Sequence, residues 1–180
     1  MTNAATAQIL RRSVRAALLD GDTYEEVEAD RSANLQAALV VVLSAASAGL
    51  GGIENHGARG VVWYTLAALV GWYLWAAIAA WIGTRWLPGP HTQTDQGELL
   101  RTLGFSSAPG VLRLLAPLPA VGVFVFLVST VWMLVAMVVA VRHALDYDGN
   151  GRAVAVCAIG FPFYAITLAL SLLLLGPWPI

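Results

Sequence analysis

The amino-acid sequence predicts an all-α integral membrane bundle of about five transmembrane helices, behind an N-terminal amphipathic and acidic helical segment. Hydrophobic residues make up 58% of the 180 residues and charged residues only 12%, whereas soluble domains carry roughly a quarter charged residues. Long apolar stretches recur along the chain between short polar turns. The mean hydropathy of +0.71 agrees. So few charges could not cover the surface of a soluble domain.

The chain divides into a polar cytoplasmic segment, residues 1–33, and a transmembrane helical domain, residues 34–180. Residues 4–19 are predicted to form a helix, with an apolar stripe at helical spacing. That stripe consists of Ala7, Leu10, Val14 and Leu18. Its arginines lie off the stripe, as in helices that rest on an anionic membrane surface. Packing against solvent or a partner is an equally good interpretation.

The second half of the polar segment is acidic. Six acidic residues against four arginines give residues 1–33 a net side-chain charge of −2. Acids in a first helical turn stabilise the helix dipole, which explains most of them structurally, and docking of a partner is the alternative. The candidates for partner contact are Tyr24, Glu25, Glu26 and Asp30.

Five apolar stretches are long enough to cross a bilayer. They cover residues 35–53, 61–86, 99–119, 121–141 and 152–175, approximately. The first contains the small pair Ala45 and Gly49, which permits close contact between helices. The second begins near Trp63 and ends at Trp86, at the separation expected for an aromatic belt at the two membrane interfaces.

The third apolar stretch is the least regular. Gly104, Pro109 and Pro117 predict kinks, because proline cannot donate the backbone hydrogen bond of a helix. Arg113 is the one charge well inside it. Charges at membrane depth are functional candidates by default, but Arg113 is close enough to the end to snorkel to the interface, which we favour. Whether this stretch crosses fully or is broken stays open.

No catalytic or metal-binding motif is evident. His91, Asp95 and Glu98 share the polar loop 87–98, but their spacing matches no metal site. The predicted spans hold hydroxyl groups without a histidine or acid at the same depth to activate them. We therefore expect no enzyme, no metal and no cofactor.

The arginines predict the orientation of the chain. With five spans, eight of the ten arginines lie on the side of the N-terminus, and only Arg59 and Arg113 lie on the other. Positive residues concentrate on the cytoplasmic side of membrane proteins. The N-terminus is therefore predicted to be cytoplasmic and the C-terminus to lie outside.

Short motifs spread over nearly the whole chain resemble prokaryotic members of the Yip family, the Ypt/Rab-interacting membrane proteins. They are the acidic segment 24–30, the residues Gly104-Phe105-x-x-x-Pro109, the run 141–147 and the start of the last span at Arg152. The glycine-aromatic-proline spacing is similar to the family's Gly-Tyr-x-x-x-Pro pattern. The resemblance implies a five-helix bundle with a cytoplasmic N-terminus.

Eukaryotic members of that family bind prenylated Rab GTPases, but their Asp-Leu-Tyr-Gly-Pro motif has no counterpart here. The resemblance therefore implies the architecture more than an activity. The residues expected to matter for the bundle are Gly104, Phe105, Pro109, Arg113, Arg142, Asp146 and Arg152. The last three are placed to pair across the loop between the fourth and fifth spans.

We expect a non-enzymatic scaffold or interaction protein, or an accessory subunit of a larger membrane complex, in the bacterial cytoplasmic (inner) membrane. Its partners would be the lipid bilayer and other membrane proteins, further copies of itself included. A net charge of −1 gives no electrostatic basis for binding nucleic acid. The alternative function is a transporter or permease for ions or small molecules, with the broken third span as its substrate site.

Overall fold

Seven α-helices and one 3₁₀ helix make up the computed structural model over the residues it describes, 2–51, 53–118 and 120–175. Side chains are described for residues 4–50, 59–118, 120–166 and 169. The elements are α1 (Thr2–Ala17), α2 (Gly21–Ala29), α3 (Ala33–Gly51), α4 (Ile53–Arg85), α5 (Gln96–Ser106), the 3₁₀ helix (Ala108–Leu115), α6 (Gly122–Ala144) and α7 (Asn150–Leu175).

Three helices are long and apolar enough to cross a membrane, within the part of the chain that the structure describes. They cover Ala33–Leu50, Arg59–Arg85 and Gly122–Ala144, and the stretch Asn150–Ile166 of α7 is a shorter apolar helix. The predicted class of an all-α membrane protein is confirmed. Length and composition establish three spans among these residues, fewer than the five that were predicted.

The predicted third span is broken. Its first part is α5, which begins at Gln96 and ends at Ser106, and its second part is the 3₁₀ helix. Pro109 stands in the first turn of the 3₁₀ helix, where a missing N–H costs nothing because that group has no partner within the helix. The sequence left open whether the third stretch is broken, and the structure shows that residues 99–118 do not form one continuous helix.

The two parts of the broken stretch nevertheless follow one path through the bundle. A Cβ atom added to Gly104 would lie 2.6 Å from Cβ of Ala37, and one added to Gly110 would lie 2.0 Å from Oγ of Ser44. Both sequences ascend together, so α5 and the 3₁₀ helix run parallel to α3. Gly110 also approaches Met133 of α6. In that helix the chain runs back in the opposite direction.

Helices α4 and α7 are antiparallel. Gly83 lies against Leu145 just before α7, whereas Gly71 lies under the hydroxyl of Tyr164, 2.6 Å from where its Cβ would be. Gly49 near the end of α3 lies against Val61 near the start of α4, so these two helices also run in opposite directions. The five segments thus alternate in direction.

The core lies at one end of the bundle, where α2, α5 and the last turns of α6 meet. Tyr24, Leu99, Phe105, Val141 and Leu145 are fully buried there. In contrast, the first half of α6 is largely exposed, with Val123 at 77% and Phe124 at 68% of their full accessibility. Apolar faces of that extent are what lipid covers in a membrane protein.

Candidate functional site

Arg12 fastens α1 to α2 and to the start of α3. Its side chain is buried, and its Nη2 lies 2.9 Å from Oε1 of Glu26 and 2.8 Å from Oδ2 of Asp30. Its Nη1 donates to Oε1 of Gln36 at 3.0 Å. Hydrogen bonds from Ser32 and then from Arg12 hold the pKa of Asp30 below its usual range. One guanidinium therefore satisfies three acceptors on two helices, in the geometry that strengthens charged hydrogen bonds.

Arg101 makes a second attachment, from α5 to the end of α2. Its Nε donates to the carbonyl oxygens of Val27 at 3.0 Å and Glu28 at 2.9 Å, and its Nη2 also donates to Glu28. The side chain is only 3% exposed. A cation at the C-terminal turn of a helix satisfies the carbonyls that have no partner there and interacts favourably with the helix dipole.

Tyr24, one of the residues predicted for partner contact, is fully buried between α1 and α6. Its hydroxyl donates to the carbonyl of Ala16 at 3.0 Å, and its ring stacks on His143 with centroids 6.0 Å apart. Burial raises the pKa of the Tyr24 hydroxyl. Next to it, Glu25 keeps 71% of its side chain exposed and lies 3.4 Å from Nδ1 of His143.

The acidic residues of α2 thus divide into two groups. Glu25 and Glu26 face outward, with 71% and 43% of their side chains exposed. Glu28 faces inward, where burial raises its pKa to about 7, helped by the negative charges of Asp146, Glu98 and Glu25 against the positive charge of Arg101. Glu28 is therefore largely protonated at moderately acidic pH, whereas the outward group presents negative charge to solvent.

The candidates for bundle architecture lie mostly in contacts. Gly104 touches Ala37 so closely that any side chain would clash, while Phe105 is fully buried and Pro109 is also buried. Nothing in these contacts points to chemistry, which fits a packing role.

The predicted pairing of Arg142, Asp146 and Arg152 is wrong. Among the residues that the structure describes, no ion pair joins these three. Arg142 instead donates from Nε to the carbonyl of Tyr147 at 3.3 Å, and Asp146 occupies a left-handed turn with φ of 50°. Since the turn needs that conformation, which aspartate tolerates better than most residues, the position is explained by backbone geometry.

Asp95 and Glu98, which the sequence suggested only as poor metal ligands, form a capping box at the start of α5. The carboxylate of Asp95 accepts from the backbone N–H of Glu98 at 2.8 Å, and Glu98 accepts from the N–H of Asp95 at 2.9 Å. The spacing of an acid and a glutamate three residues apart is a known signal for a helix start. It could have been recognised in the sequence.

Arg113 points into the bundle. Its Nη2 donates to Oγ1 of Thr130 at 2.8 Å, its Nε donates to Oγ of Ser129 at 3.3 Å, and Cζ lies 4.8 Å from the ring centroid of Phe126. The side chain is held against the second turn of α6 and its neighbours. Snorkelling to the membrane interface, the interpretation favoured from the sequence, stays a prediction.

Arg113 borders a cavity of about 440 Å³ that is lined by α3, α4, α6, α7 and the junction of α5 with the 3₁₀ helix and is partly open to the surface. Trp72 and Trp75 line it on one side, and Met133 and Met137 line it on another. The indole Nε1 of Trp72 donates to the carbonyl of Leu100 at 3.0 Å, whereas that of Trp75 is buried and has no hydrogen-bond partner among the described residues. The cavity combines an apolar wall with one cation.

A family model described as the Yip1 domain matches residues 17–172. The chain belongs to the Yip1 domain family. The match begins at the last residue of α1 and ends within α7, so it includes α2, Arg101 and the whole broken segment but not Arg12. The family resemblance seen in the sequence is therefore confirmed. No curated protein and no solved structure matches the chain.

Several structurally important residues were not singled out from the sequence. Arg12 counted only as an arginine off the stripe of the first helix and toward the orientation, Arg101 counted only toward the orientation, and His143 lay beyond the predicted fourth span, 121–141. The acceptors of Arg101 are backbone carbonyls, which every residue possesses, so no sequence signal marks them.

Membership in the Yip1 family and the apolar helices establish a membrane protein. They do not assign it a partner.

Proposed function

We propose that this Yip1-family protein is a non-enzymatic membrane scaffold or accessory subunit that recruits a partner through the exposed acidic face of α2. The observation that carries the proposal is the rigid presentation of Glu25 and Glu26. Arg12 and Arg101 fix the helix from two sides, so the two exposed carboxylates occupy defined positions. A helix merely solvated by its charges would not need two buried arginines to hold it.

The proposal includes the topology. The alternating directions of α3, α4, the α5–3₁₀ segment, α6 and α7 support five crossings, with residues 1–33 as a cytoplasmic segment and residues 34–180 as the membrane domain. Eight arginines on the side of α2 support a cytoplasmic N-terminus in a bacterial inner membrane. The partner would be a protein with a basic surface, since only such a surface complements the exposed acids. The alternative of a transporter gains no support from the family match.

Site-specific photo-crosslinking in intact cells tests the recruiting surface. A photoreactive phenylalanine analogue at exposed Asp22, on the same helix one turn from Glu25, is expected to give a discrete adduct. Reversing the charge with Glu25→Lys should abolish the adduct, and Asp148→Lys, an equal change in an exposed loop, should keep it. An adduct of unchanged intensity in Glu25→Lys would overturn the acidic face as the contact.

The orientation has its own test. A cysteine at position 22, in a Cys157→Ser background, should react with a membrane-impermeant maleimide only after the cells are opened. Labelling of intact cells would reverse the proposed orientation. The crosslinking result is independent of this outcome, because it depends on the chemistry of α2 and not on the side of the membrane.

A further inference from the structure

We propose that the cavity beside Arg113, here called the Arg113 cavity, binds one anionic lipid. The lipid phosphate would lie against the guanidinium, and part of an acyl chain would lie among the apolar side chains of the cavity. This goes beyond a scaffold role, because it assigns a ligand to the membrane domain itself.

The first support is a charge without a counter-charge. Arg113 is half-buried, and its hydrogen-bond acceptors are the neutral hydroxyls of Ser129 and Thr130. Among the described residues, no acidic side chain lines the cavity or forms an ion pair with Arg113. Intramembrane charges are usually paired, and a phosphate with its hydrogen-bond acceptors is the group that arginine binds best.

The second support is the chemistry of the remaining wall. Leu103, Met133, Met137 and the two tryptophans make most of the lining apolar, and methionines adapt to chains of varied shape. The volume of about 440 Å³ lies within the range of roughly 300–1,000 Å³ typical of ligand sites. Such an apolar wall offers no favourable contacts to a small hydrated anion, whereas it can pack against an acyl chain.

A third observation is the orphan donor of Trp75. This side chain is only 7% exposed and lines the cavity, and its indole Nε1 has no partner within the described residues. A buried donor without an acceptor costs free energy. Because this nitrogen has almost no accessible surface of its own, an ester or glycerol oxygen of the lipid would accept from it only after the indole ring turns toward the cavity.

The position of the cavity favours a lipid over a soluble anion. Leu134 of α6 and Phe161 of α7 line the cavity and are also 46% and 55% exposed. The wall between these helices therefore lies at the apolar surface of the bundle. A lipid can enter from the bilayer by this side, whereas a hydrated phosphate would have to cross apolar surroundings.

Native mass spectrometry of the full chain, purified in mild detergent, tests the proposal. The protein is incubated with equal amounts of phosphatidylglycerol and phosphatidylcholine of identical chains, and the ratio of the two bound forms is measured. We expect roughly a tenfold preference for phosphatidylglycerol, the size of one good charged contact. Arg113→Gln should bring the ratio near one, and Arg85→Gln, the same change at an exposed helix end, should leave it unchanged.

A second variant tests the cavity even if Arg113→Gln does not fold. Ala68→Phe fills the cavity but keeps the arginine, and it should lower the binding of both lipids. Leu66→Phe, on the exposed side of α4, should bind like the wild type. Arg113→Lys keeps the charge and should retain most of the preference.

Three results would overturn the lipid assignment. One is an unchanged lipid ratio in folded Arg113→Gln. Another is an equal loss of preference in Arg85→Gln, which would indicate non-specific charge. The third is competition by millimolar inorganic phosphate that removes the bound phosphatidylglycerol, which would identify a site for a soluble anion.

Discussion

The Nε atom of Arg101 lies 3.0 Å from the carbonyl oxygen of Val27, so that a side chain of α5 closes the C-terminal turn of α2. The contact joins the membrane domain to the polar segment through backbone acceptors. It determines how firmly the acidic face of α2 is held against the bundle.

Replacing Arg101 with methionine should release α2 from the bundle. The substitution keeps an apolar stem but leaves the carbonyls of Val27 and Glu28 without their donor, at a cost of roughly 2–4 kcal/mol. Hydrogen exchange of the amides at residues 21–30 should accelerate while α6 stays protected. Arg31→Met, at an exposed position, is the control and should exchange like the wild type. Equal protection of α2 in both variants would refute the attachment.

Gly104→Ala should destabilise the bundle, because the new Cβ would lie 2.6 Å from Cβ and 3.0 Å from Cα of Ala37. Overpacking of this kind costs roughly 1–3 kcal/mol. Gly151→Ala meets nothing within 4 Å in the first turn of α7 and should be neutral or slightly stabilising. Thermal unfolding in detergent measures both. Combining Gly104→Ala with Ala37→Gly should restore part of the loss if the close contact is the cause.

The attachment of α2 should weaken as the pH rises. The pKa of Glu28 is about 7 in the folded protein against 4.5 for a free glutamate, so the folded state binds more protons between these values. Stability therefore falls as pH rises from about 5 to 8. Since Glu28 is partly exposed, we expect only about 1 kcal/mol after solvent screening.

Glu28→Gln should remove that pH dependence and stabilise the protein at pH 8. Asp22→Asn, an exposed acid on the same helix, should keep the wild-type slope. The contact between His143 and Glu25 is retained in both variants. Thermal unfolding between pH 5 and 8 measures how the stability of each variant changes with pH. An unchanged pH dependence in Glu28→Gln would show that another group causes it.

The exposed stripe of α1 should lie in the membrane interface. Leu10, Val14 and Leu18 are 61%, 59% and 68% exposed, while Arg12 and Ala16 on the opposite face are buried against the protein. This arrangement favours lipid over solvent as the neighbour of the stripe. A fluorophore on a cysteine at position 14, in the Cys157→Ser background, should be quenched by nitroxide-labelled lipids. A fluorophore at exposed Gln8, about 120° around the helix from Val14, should be quenched much less; equal quenching at both positions would argue against the interface.

The helices were predictable because span length and hydropathy are local properties. The fourth span was predicted at 121–141 and α6 covers Gly122–Ala144; the irregular third stretch was also recognised from its prolines. The exact break at Ser107 was not, since it depends on how Gly104 packs against Ala37 and how Pro109 starts the 3₁₀ helix. Packing contacts between different helices cannot be inferred from the local sequence.

The site was harder to predict than the fold. Tyr24 was chosen as a candidate for partner contact, but its ring lies between α1, close in sequence, and α6, more than a hundred residues later. Arg113 was recognised as unusual, yet its partners on α6 depend on the antiparallel return of the chain. Interactions between segments far apart in sequence decide both positions.

The nine residues of α2 are fewer than an isolated helix needs to persist in water. Its supports, Arg101 and His143, are synthesised more than seventy residues later. During biogenesis the acidic surface can therefore acquire its final shape only after α6 has been inserted. A partner that recognises this shape would bind fully inserted molecules and would not bind partly inserted ones. Binding at the recruiting surface would therefore indicate that membrane insertion is complete.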